Sequence, residues 1–158
     1  MAIDKVFVTK KEELQPVHIN AHAPYEYDRF MVCPRTGGNQ CSVLIYDIAP
    51  GKSSYPLHYH SGSEEIFYII SGHGVVETID SEINISAGSV VICPSGEGGA
   101  HRITNKSETE VLSYIDIDTV PKTDMCVYPK SGKIGLFTND GFMKIFKSDS
   151  DVNYYDGE

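Results

Sequence analysis

The sequence predicts an all-β fold, an antiparallel sandwich or barrel, and three observations lead to this prediction. Short stretches rich in β-branched and aromatic residues recur along the middle of the chain, and each is closed by Gly, Pro, Asn or Asp. No long helical period separates them, which argues against βαβ units. A chain of 158 residues, 41% hydrophobic and 22% charged, suits one globular domain.

Three segments make up this single domain of residues 1–158. The first forty residues, interrupted by Pro16 and Pro24, predict an irregular arm with a short helical turn around Lys11 to Leu14. Residues 41–118 contain the predicted strands, which form the barrel. Residues 119–158 are too rich in aromatic and apolar side chains for a disordered tail, so we expect this extension to pack on the barrel or on a second subunit. The predicted strand-forming stretches are CSVLIYDIAPG, EEIFYIISGHG, VVETIDSEINISAG, SVVICPSG, HRITNKS and EVLSYIDID.

The charge of the chain excludes several kinds of partner. Its formal net charge of -9 repels phosphate backbones and anionic lipid surfaces, so neither nucleic acid nor a membrane is an expected partner. The apolar runs are too short to span a bilayer and no secretory leader opens the sequence, which predicts a cytoplasmic protein. The four cysteines contain no CxxC pair, so we expect free thiols.

The stretch HYHSGSEEIFYIISG, residues 58–72, concentrates good metal ligands beside a strand. Side chains alternate across a strand, so His58 and His60 share one face. Two imidazoles and a carboxylate from Glu64 or Glu65 form a mixed nitrogen and oxygen set that suits a divalent transition metal. An HxH pair alone more often marks exposed polar positions on an edge strand, so the wider spacing has to decide.

That spacing consists of two ordered blocks. In the first, Gly51 is followed by six residues, then His58, His60, four residues, Glu65, six residues and Gly72. In the second, Gly88 is followed by five residues, then Pro94, Gly96, four residues, His101, three residues and Asn105. The blocks resemble the paired motifs of the cupin superfamily, and the chain is similar to small single-domain bacterial cupins over about residues 41–118.

The resemblance implies a double-stranded β-helix (jelly-roll) barrel that holds one metal ion. Carried over residue by residue, the ligands are His58, His60, Glu65 and His101. The sequence departs from the family pattern by one extra residue before His58 and two before His101, while the spacing from His101 to Asn105 survives.

The remaining ligand-type residues are assigned to the surface or the core. Glu64 is expected to point outward, because Glu65 is the carboxylate with the right spacing to Gly72 and the same face as Phe67. His18 and His22 are four apart, but their flanking prolines favour an ordinary surface arm. His73 is expected to face solvent after the Gly72 turn, and Cys93 to be a buried, inert thiol.

Three functions are compatible with these residues. The first, which we favour, is a metal-dependent enzyme of oxygenase or isomerase type that acts on a small organic molecule, since four protein ligands leave positions open on an octahedral Fe, Mn, Zn or Ni ion. The second is a non-catalytic cupin that binds or senses a sugar or metabolite. The third is a storage or structural barrel with a vestigial metal, against which the four intact ligands argue.

Neither the catalytic acid or base nor the assembly follows from a motif. Tyr46, Tyr68, Tyr114 and Glu77 lie on predicted strands whose inward face the sequence leaves open. The apolar stretches DKVFVTK and GFMKIF are strand-like and suit pairing with a sheet edge of another copy, so we expect a homodimer. A C-terminal segment across the barrel mouth would instead act as a lid.

Overall fold

The computed structural model of the protein describes residues 2–158, and almost all of its regular structure is β. Every strand pairing among these residues is antiparallel. The strands are β1 Val17–His22, β2 Tyr25–Cys33, β3 Cys41–Ile48, β4 Tyr59–His60, β5 Glu65–Ser71, β6 His73–Glu77, β7 Glu82–Ser86, β8 Val90–Cys93, β9 Arg102–Asn105, β10 Leu112–Thr119, β11 Thr123–Tyr128, β12 Lys133–Thr138 and β13 Met143–Lys147.

Three sheets wrap around one core. Six strands lie in the order β1-β2-β3-β10-β5-β8, four in the order β13-β12-β11-β4, and three in the order β7-β6-β9. This arrangement is a double-stranded β-helix barrel, which confirms the predicted all-β fold. Within residues 2–158 no helix is long and apolar enough to cross a membrane.

Alternation along the central strands builds the interior. In β3 the buried side chains are Ser42, Leu44, Tyr46 and Ile48, and their neighbours point outward. The β10 strand lies between β3 and β5, with Asp118 opposite Glu65 and Asp116 opposite Phe67. The hydrophobic core comprises Tyr27, Leu44, Tyr46, Ile48, Phe67, Ile69, Val76, Ile85, Cys93, Ile103, Leu112 and Tyr114.

The expected irregular arm is wrong for residues 17–33. They form a hairpin, β1 and β2, which extends the six-stranded sheet beyond β3. Tyr27 is buried in the core, and Arg29 faces the same interior as Tyr27. The sequence hides this hairpin because its inward positions are tyrosines and an arginine rather than aliphatic side chains, and because β3 supplies the hydrogen-bonding partner. The helical turn is present as a 3-10 turn at Lys11–Glu13.

The C-terminal extension packs on the barrel, as expected. Strand β11 pairs with β4, so that Cys126 lies opposite His60, and β12 and β13 continue this sheet outward. The stretch GFMKIF, residues 141–146, supplies most of the edge strand β13, whereas residues 4–10 form no strand. One end of the extension is therefore built into the wall of the barrel.

Asn105 ties three parts of the barrel together. Its amide nitrogen donates to the carbonyl oxygens of Ile48 at 2.9 Å and Glu110 at 2.7 Å, and its amide oxygen accepts from the Ser107 N–H at 2.9 Å. The side chain is 1% exposed. These bonds satisfy backbone groups that turn away from the sheet ladders at the end of β3 and before β10.

We expect Asn105→Ala to lower the free energy of unfolding by about 3 kcal/mol, because it strands buried backbone groups without partners. Asn84→Ala, at an exposed position of β7, is the matched control and should change it by less than about 0.5 kcal/mol. Chemical denaturation measures both values. Equal stability of the two variants would contradict this role for Asn105.

Candidate metal centre

The four predicted ligands come from three neighbouring places in the barrel. His58 and His101 face each other across an isolated antiparallel bridge, with reciprocal backbone hydrogen bonds of 3.1 and 2.9 Å. His60 lies in β4, and Glu65 is the first residue of β5. All four side chains point inward and are at most 8% exposed. The structure therefore brings together every residue that the two sequence blocks predict as a ligand.

The Glu65 carboxylate lies at the centre of the three imidazoles. Its Oε2 is 3.2 Å from His101 Nε2 and 4.0 Å from His58 Nε2, and its Oε1 is 3.6 Å from His60 Nε2. Ligand atoms of His58, Glu65 and His101 all lie within 4.8 Å of one another. His60 lies near Oε1 of Glu65, the oxygen that His58 and His101 do not face. Its ligand atom lies within 4.8 Å of those of His58 and Cys126.

Each imidazole is held by a hydrogen bond from its outer nitrogen. His58 Nδ1 donates to the Pro56 carbonyl at 2.8 Å, and His101 Nδ1 donates to the Gly99 carbonyl at 2.9 Å. His60 Nδ1 donates to Asp124 Oδ2 at 2.5 Å. Because Nδ1 carries the proton in each ring, the lone pair of each neutral ring is on Nε2 and points toward Glu65.

Burial keeps two of the histidines neutral. Burial lowers the pKa of His58 to about 4, helped by the neighbouring His101 and opposed by Glu65. Burial also lowers the pKa of His101 to about 4, against the hydrogen bond to Gly99. For His60, burial alone would lower the pKa. The hydrogen bond to Asp124 and the charge of Glu65 raise it by a larger amount, so the pKa of His60 lies above its ordinary value. Neutral imidazole is the form that binds metal ions.

Asp124 is a functional residue that sequence reasoning missed. It lies in β11, in the C-terminal extension, and besides His60 it accepts hydrogen bonds from Ser63 Oγ and the Gly62 N–H, both at 2.9 Å. Arg35 Nη2 donates to the same carboxylate at 3.1 Å. Although burial raises its pKa, the bonds from His60, Ser63 and Gly62 hold the pKa of Asp124 below its ordinary value. The carboxylate is thus charged and fixes the His60 ring.

A pair of buried carboxyl groups lies beside Glu65, and sequence reasoning missed it as well. Asp116 and Asp118 alternate on the inner face of β10, and their carboxylate oxygens cluster with Glu65 within 4.8 Å. Burial, with the charge of Glu65, raises the pKa of Asp118 to about 6, and burial and Asp118 raise that of Asp116 as well. Asp118 lies 3.8 Å from Arg35. The alternation of apolar and acidic residues in YIDID signals a pair of carboxyl groups on one face. Placing that pair in the interior requires knowing which face of β10 points inward.

These groups line one cavity of about 370 Å³. Tyr46 and Tyr114, whose orientation the sequence left open, both face it. Tyr68 instead points outward, and Glu77 is bonded to Arg102 and Lys130. Phe137, Met143 and Ile145 of the extension also line the cavity, so β12 and β13 cover part of its wall.

The other predicted positions lie away from this cavity. Glu64 is exposed, as expected, and His73 is exposed near Glu110. His18 and His22 are exposed on β1, where His18 Nδ1 contacts Asp28 at 2.8 Å. Cys93 is buried, and burial raises the pKa of its thiol to about 12, which agrees with an inert thiol.

The chemistry of this donor set fits a divalent cation. Glu65, Asp116 and Asp118 place three carboxyl groups in the interior, where unpaired negative charge is costly. The imidazoles of His58 and His101 are neutral and do not compensate that charge. A cation between the three Nε2 atoms and Glu65 would compensate the negative charge. Four ligand atoms, three nitrogens and one oxygen, would then coordinate it.

Comparison with known proteins agrees with this geometry. Residues 44–118 match the family of the cupin domain. Over 66 residues the chain is 38% identical to the Oxalate-binding protein of Thermotoga maritima, a match that covers 42% of this chain and about half, 54%, of that relative.

Two solved structures with detectable sequence similarity have a similar fold. A candidate sugar phosphate isomerase from Acidithiobacillus ferrooxidans is 26% identical, with a TM-score of 0.66 over 80% of this chain and 81% of that chain. A predicted oxalate decarboxylase from Thermotoga maritima is 27% identical, with a TM-score of 0.64 over 73% of this chain and 100% of that chain.

A third structure shows how far the fold likeness extends. A sugar phosphate isomerase of the cupin superfamily from Silicibacter pomeroyi is 16% identical, with a TM-score of 0.76 over 92% of this chain and 95% of that chain. This likeness therefore reaches beyond residues 44–118 into both flanking segments. The comparisons thus identify residues 44–118, close to half of the chain, as a match to the cupin domain family, and the barrel as a whole has the fold of these solved structures.

Proposed function

We propose that the protein is a metal-dependent enzyme that acts on a small organic molecule, with the ion held by His58, His60, Glu65 and His101. The observation that carries the proposal is the orientation of the imidazoles. Three Nε2 atoms converge on one buried carboxylate, while each Nδ1 is engaged by an acceptor of the barrel. Such an arrangement is typical of ligands held ready for a metal.

Three nitrogens and one oxygen suit Fe, Mn, Zn or Ni. Four protein ligands leave one or two positions of an octahedral ion free for a substrate. When bound there, such an ion supplies Lewis-acid or redox chemistry to the substrate. The residues of the chain then orient the substrate and exclude water from it.

The surroundings of the site favour catalysis over simple storage. Asp116 and Asp118 line the same cavity as the ligands and provide carboxyl groups that can accept a proton from a bound molecule. Tyr46 donates or accepts in a 3.0 Å hydrogen bond with Tyr55, whose ring lies against His58. An enzyme of isomerase or oxygenase type needs such polar groups beside the ion, whereas a vestigial site does not.

The relatives favour a small, oxygen-rich substrate. Two relatives that share 26% and 27% of their residues with this chain are named for sugar phosphates and for oxalate. Both kinds of molecule are small anions, and the cavity of about 370 Å³ has room for molecules of this size.

A non-catalytic role in binding or sensing a sugar or metabolite is the second candidate function. The relative named as an Oxalate-binding protein favours it. This function predicts affinity for a small molecule without turnover.

We also propose that the protein works in the cytoplasm as a homodimer. The outer face of β5 and β8 exposes Ile66, Tyr68, Ile70, Val90 and Ile92, and a second copy would remove these apolar side chains from water.

Sedimentation equilibrium should give twice the mass of the 17.5 kDa chain, and Tyr68→Glu should shift the measured mass toward that of the monomer. A monomer at all concentrations would contradict the dimer.

Metal analysis tests the proposed function directly. Protein purified without chelator or nickel resin should carry close to one divalent transition metal ion per chain, measured by plasma mass spectrometry. We expect His60→Ala to lose most of this metal because it removes one of four ligands. The matched control is His73→Ala, which removes an exposed histidine and should keep the full content.

The outcome separates the candidate functions. Metal in the wild type and turnover of small hydroxy acids, oxalate or sugar phosphates would support the enzyme. Metal with ligand affinity but no turnover would favour the binding function. A wild-type protein that takes up no metal on reconstitution would contradict the proposed function.

Asp124 should control metal affinity without touching the ion. We expect Asp124→Asn to weaken metal binding about 10- to 100-fold, because the variant loses the charged acceptor that fixes His60 Nδ1–H. Competition with a chromophoric chelator measures the dissociation constant. Asp28→Asn removes the other aspartate that contacts a histidine, on the surface, and should leave the affinity unchanged. Wild-type affinity in Asp124→Asn would contradict this positioning role.

A further inference from the structure

Three arginines line the cavity within the described residues, and their charges are balanced differently. Arg35 lies 3.1 Å from Asp124 and 3.8 Å from Asp118, and Arg102 is paired with Glu77. The ion pairs found among residues 2–158 do not include Arg29. Its guanidinium lies beside the hydroxyl of Tyr55. Arg29 is therefore the cavity cation whose charge no carboxylate neutralises.

Part of the Arg29 guanidinium is also unsatisfied. Its Nε is buried and makes no hydrogen bond to any of residues 2–158. A buried donor without a partner costs free energy, and a charged one costs more. An anion in the cavity would satisfy this donor and the charge together, in the forked geometry that guanidinium offers to carboxylate and phosphate groups.

The position of Arg29 relates this donor to the candidate metal centre. Arg29 lies opposite Tyr46 in the pairing of β2 with β3. Tyr55 separates it from the ligands, because the Tyr55 ring lies against His58 with centroids 6.2 Å apart while its hydroxyl lies beside Arg29. Arg29 and the four candidate ligands line the same cavity, so one bound molecule can contact both.

The other unsatisfied buried groups of the cavity are one donor and two acceptors. The donor is Nε of Arg102, whose charge is paired with Glu77. The acceptors are Asp116 Oδ1 and Asp118 Oδ1, which have no hydrogen-bond partner within the described residues. Both aspartates line the cavity and cluster with Glu65, and carboxyl oxygens accept hydrogen bonds from hydroxyl groups. The cavity thus offers a cation at one place and hydroxyl acceptors at another.

We propose that the ligand of this cavity is a hydroxylated molecule with a single anionic group, which binds Arg29, while its hydroxyl groups donate to Asp116 and Asp118. The anionic group is a carboxylate or a phosphate, since guanidinium binds both. This assignment rests on the proposed function and names the class of its substrate. It separates polyhydroxy acids and sugar phosphates, which match the groups in the cavity, from a compact dianion such as oxalate, which has no hydroxyl group to donate.

Titration calorimetry with matched probes tests the assignment on the metal-loaded full chain. The carboxylate arm compares glycolate, glycerate and erythronate with acetate, propionate and butyrate, which lack the hydroxyl groups. The phosphate arm compares glycerol 3-phosphate and ribose 5-phosphate with inorganic phosphate. Oxalate and glycerol are added as the dianion without hydroxyls and the polyol without charge. The arm with the tighter binder identifies the anionic group.

We expect at least one of the hydroxylated probes with an anionic group to bind, and Arg29→Gln to weaken its binding by about tenfold or more, because a charged hydrogen-bonded partner is lost. Arg29→Lys should retain part of the affinity. Arg102→Gln is the matched control, since this arginine lines the same cavity but is neutralised by Glu77, and it should bind as the wild type does. Thermal unfolding checks that each variant is folded.

Three results would overturn the assignment: no hydroxylated carboxylate or phosphate probe binds, Arg29→Gln binds the best probe as tightly as the wild type, or oxalate and the analogues without hydroxyls bind equally well or better. Metal content is measured first in each protein. A wild type without metal contradicts the proposed function, whereas a metal-loaded wild type that fails the probe comparison contradicts only this assignment. Binding to metal-free protein that depends on Arg29 would support the arginine subsite even where the metal centre fails.

Discussion

The interaction on which the site depends is the burial of the Glu65 carboxylate among three imidazoles whose outer nitrogens are already engaged. His58 and His101 are tied to backbone carbonyls and His60 to Asp124, so none of the rings can turn its Nδ1–H toward the carboxylate. The carboxylate consequently faces the lone pairs of the neutral His58 and His101 rings. Burial of a charge against lone pairs is unfavourable unless a cation lies between them. The hydrogen bonds around the four side chains therefore favour the binding of a cation.

Segments on either side of the barrel complete the cavity. The N-terminal hairpin contributes Arg29, and the C-terminal extension contributes Asp124 to the support of His60 and Phe137 to the cavity wall. These segments join the barrel through sheet hydrogen bonds, as β2 pairs with β3 and β11 with β4. Strand addition to a sheet edge places side chains at defined registers. The groups that discriminate among ligands therefore lie on strands outside the central motif blocks.

The barrel leaves the reaction open, because one fold hosts many different functions. The relatives are named for different molecules, oxalate and sugar phosphates. In this chain the described residues give Arg29 no carboxylate partner, and Asp116 Oδ1, Asp118 Oδ1 and Arg102 Nε no hydrogen-bond partner.

The sequence by itself predicted the all-β fold, which depends on local features, and its two blocks resemble the cupin motifs, a resemblance that implied the four candidate ligands. Alternation along a strand separates the faces, so His58 shares a face with His60 and Glu65 shares one with Phe67, and glycine and proline mark where strands end. Spacing within the two blocks was then enough to choose Glu65 over Glu64.

Only the tertiary structure decided which residues surround those ligands. Asp124 lies 64 residues from His60 in sequence, and nothing in KTDMC distinguishes it from an exposed aspartate. Arg29 and Tyr27 lie in a segment whose sequence predicts irregular structure. In the structure it forms a strand because it pairs with β3. Such contacts join distant parts of the chain, and their register is set by sheet pairing and core packing, which depend on all the strands together rather than on any one stretch.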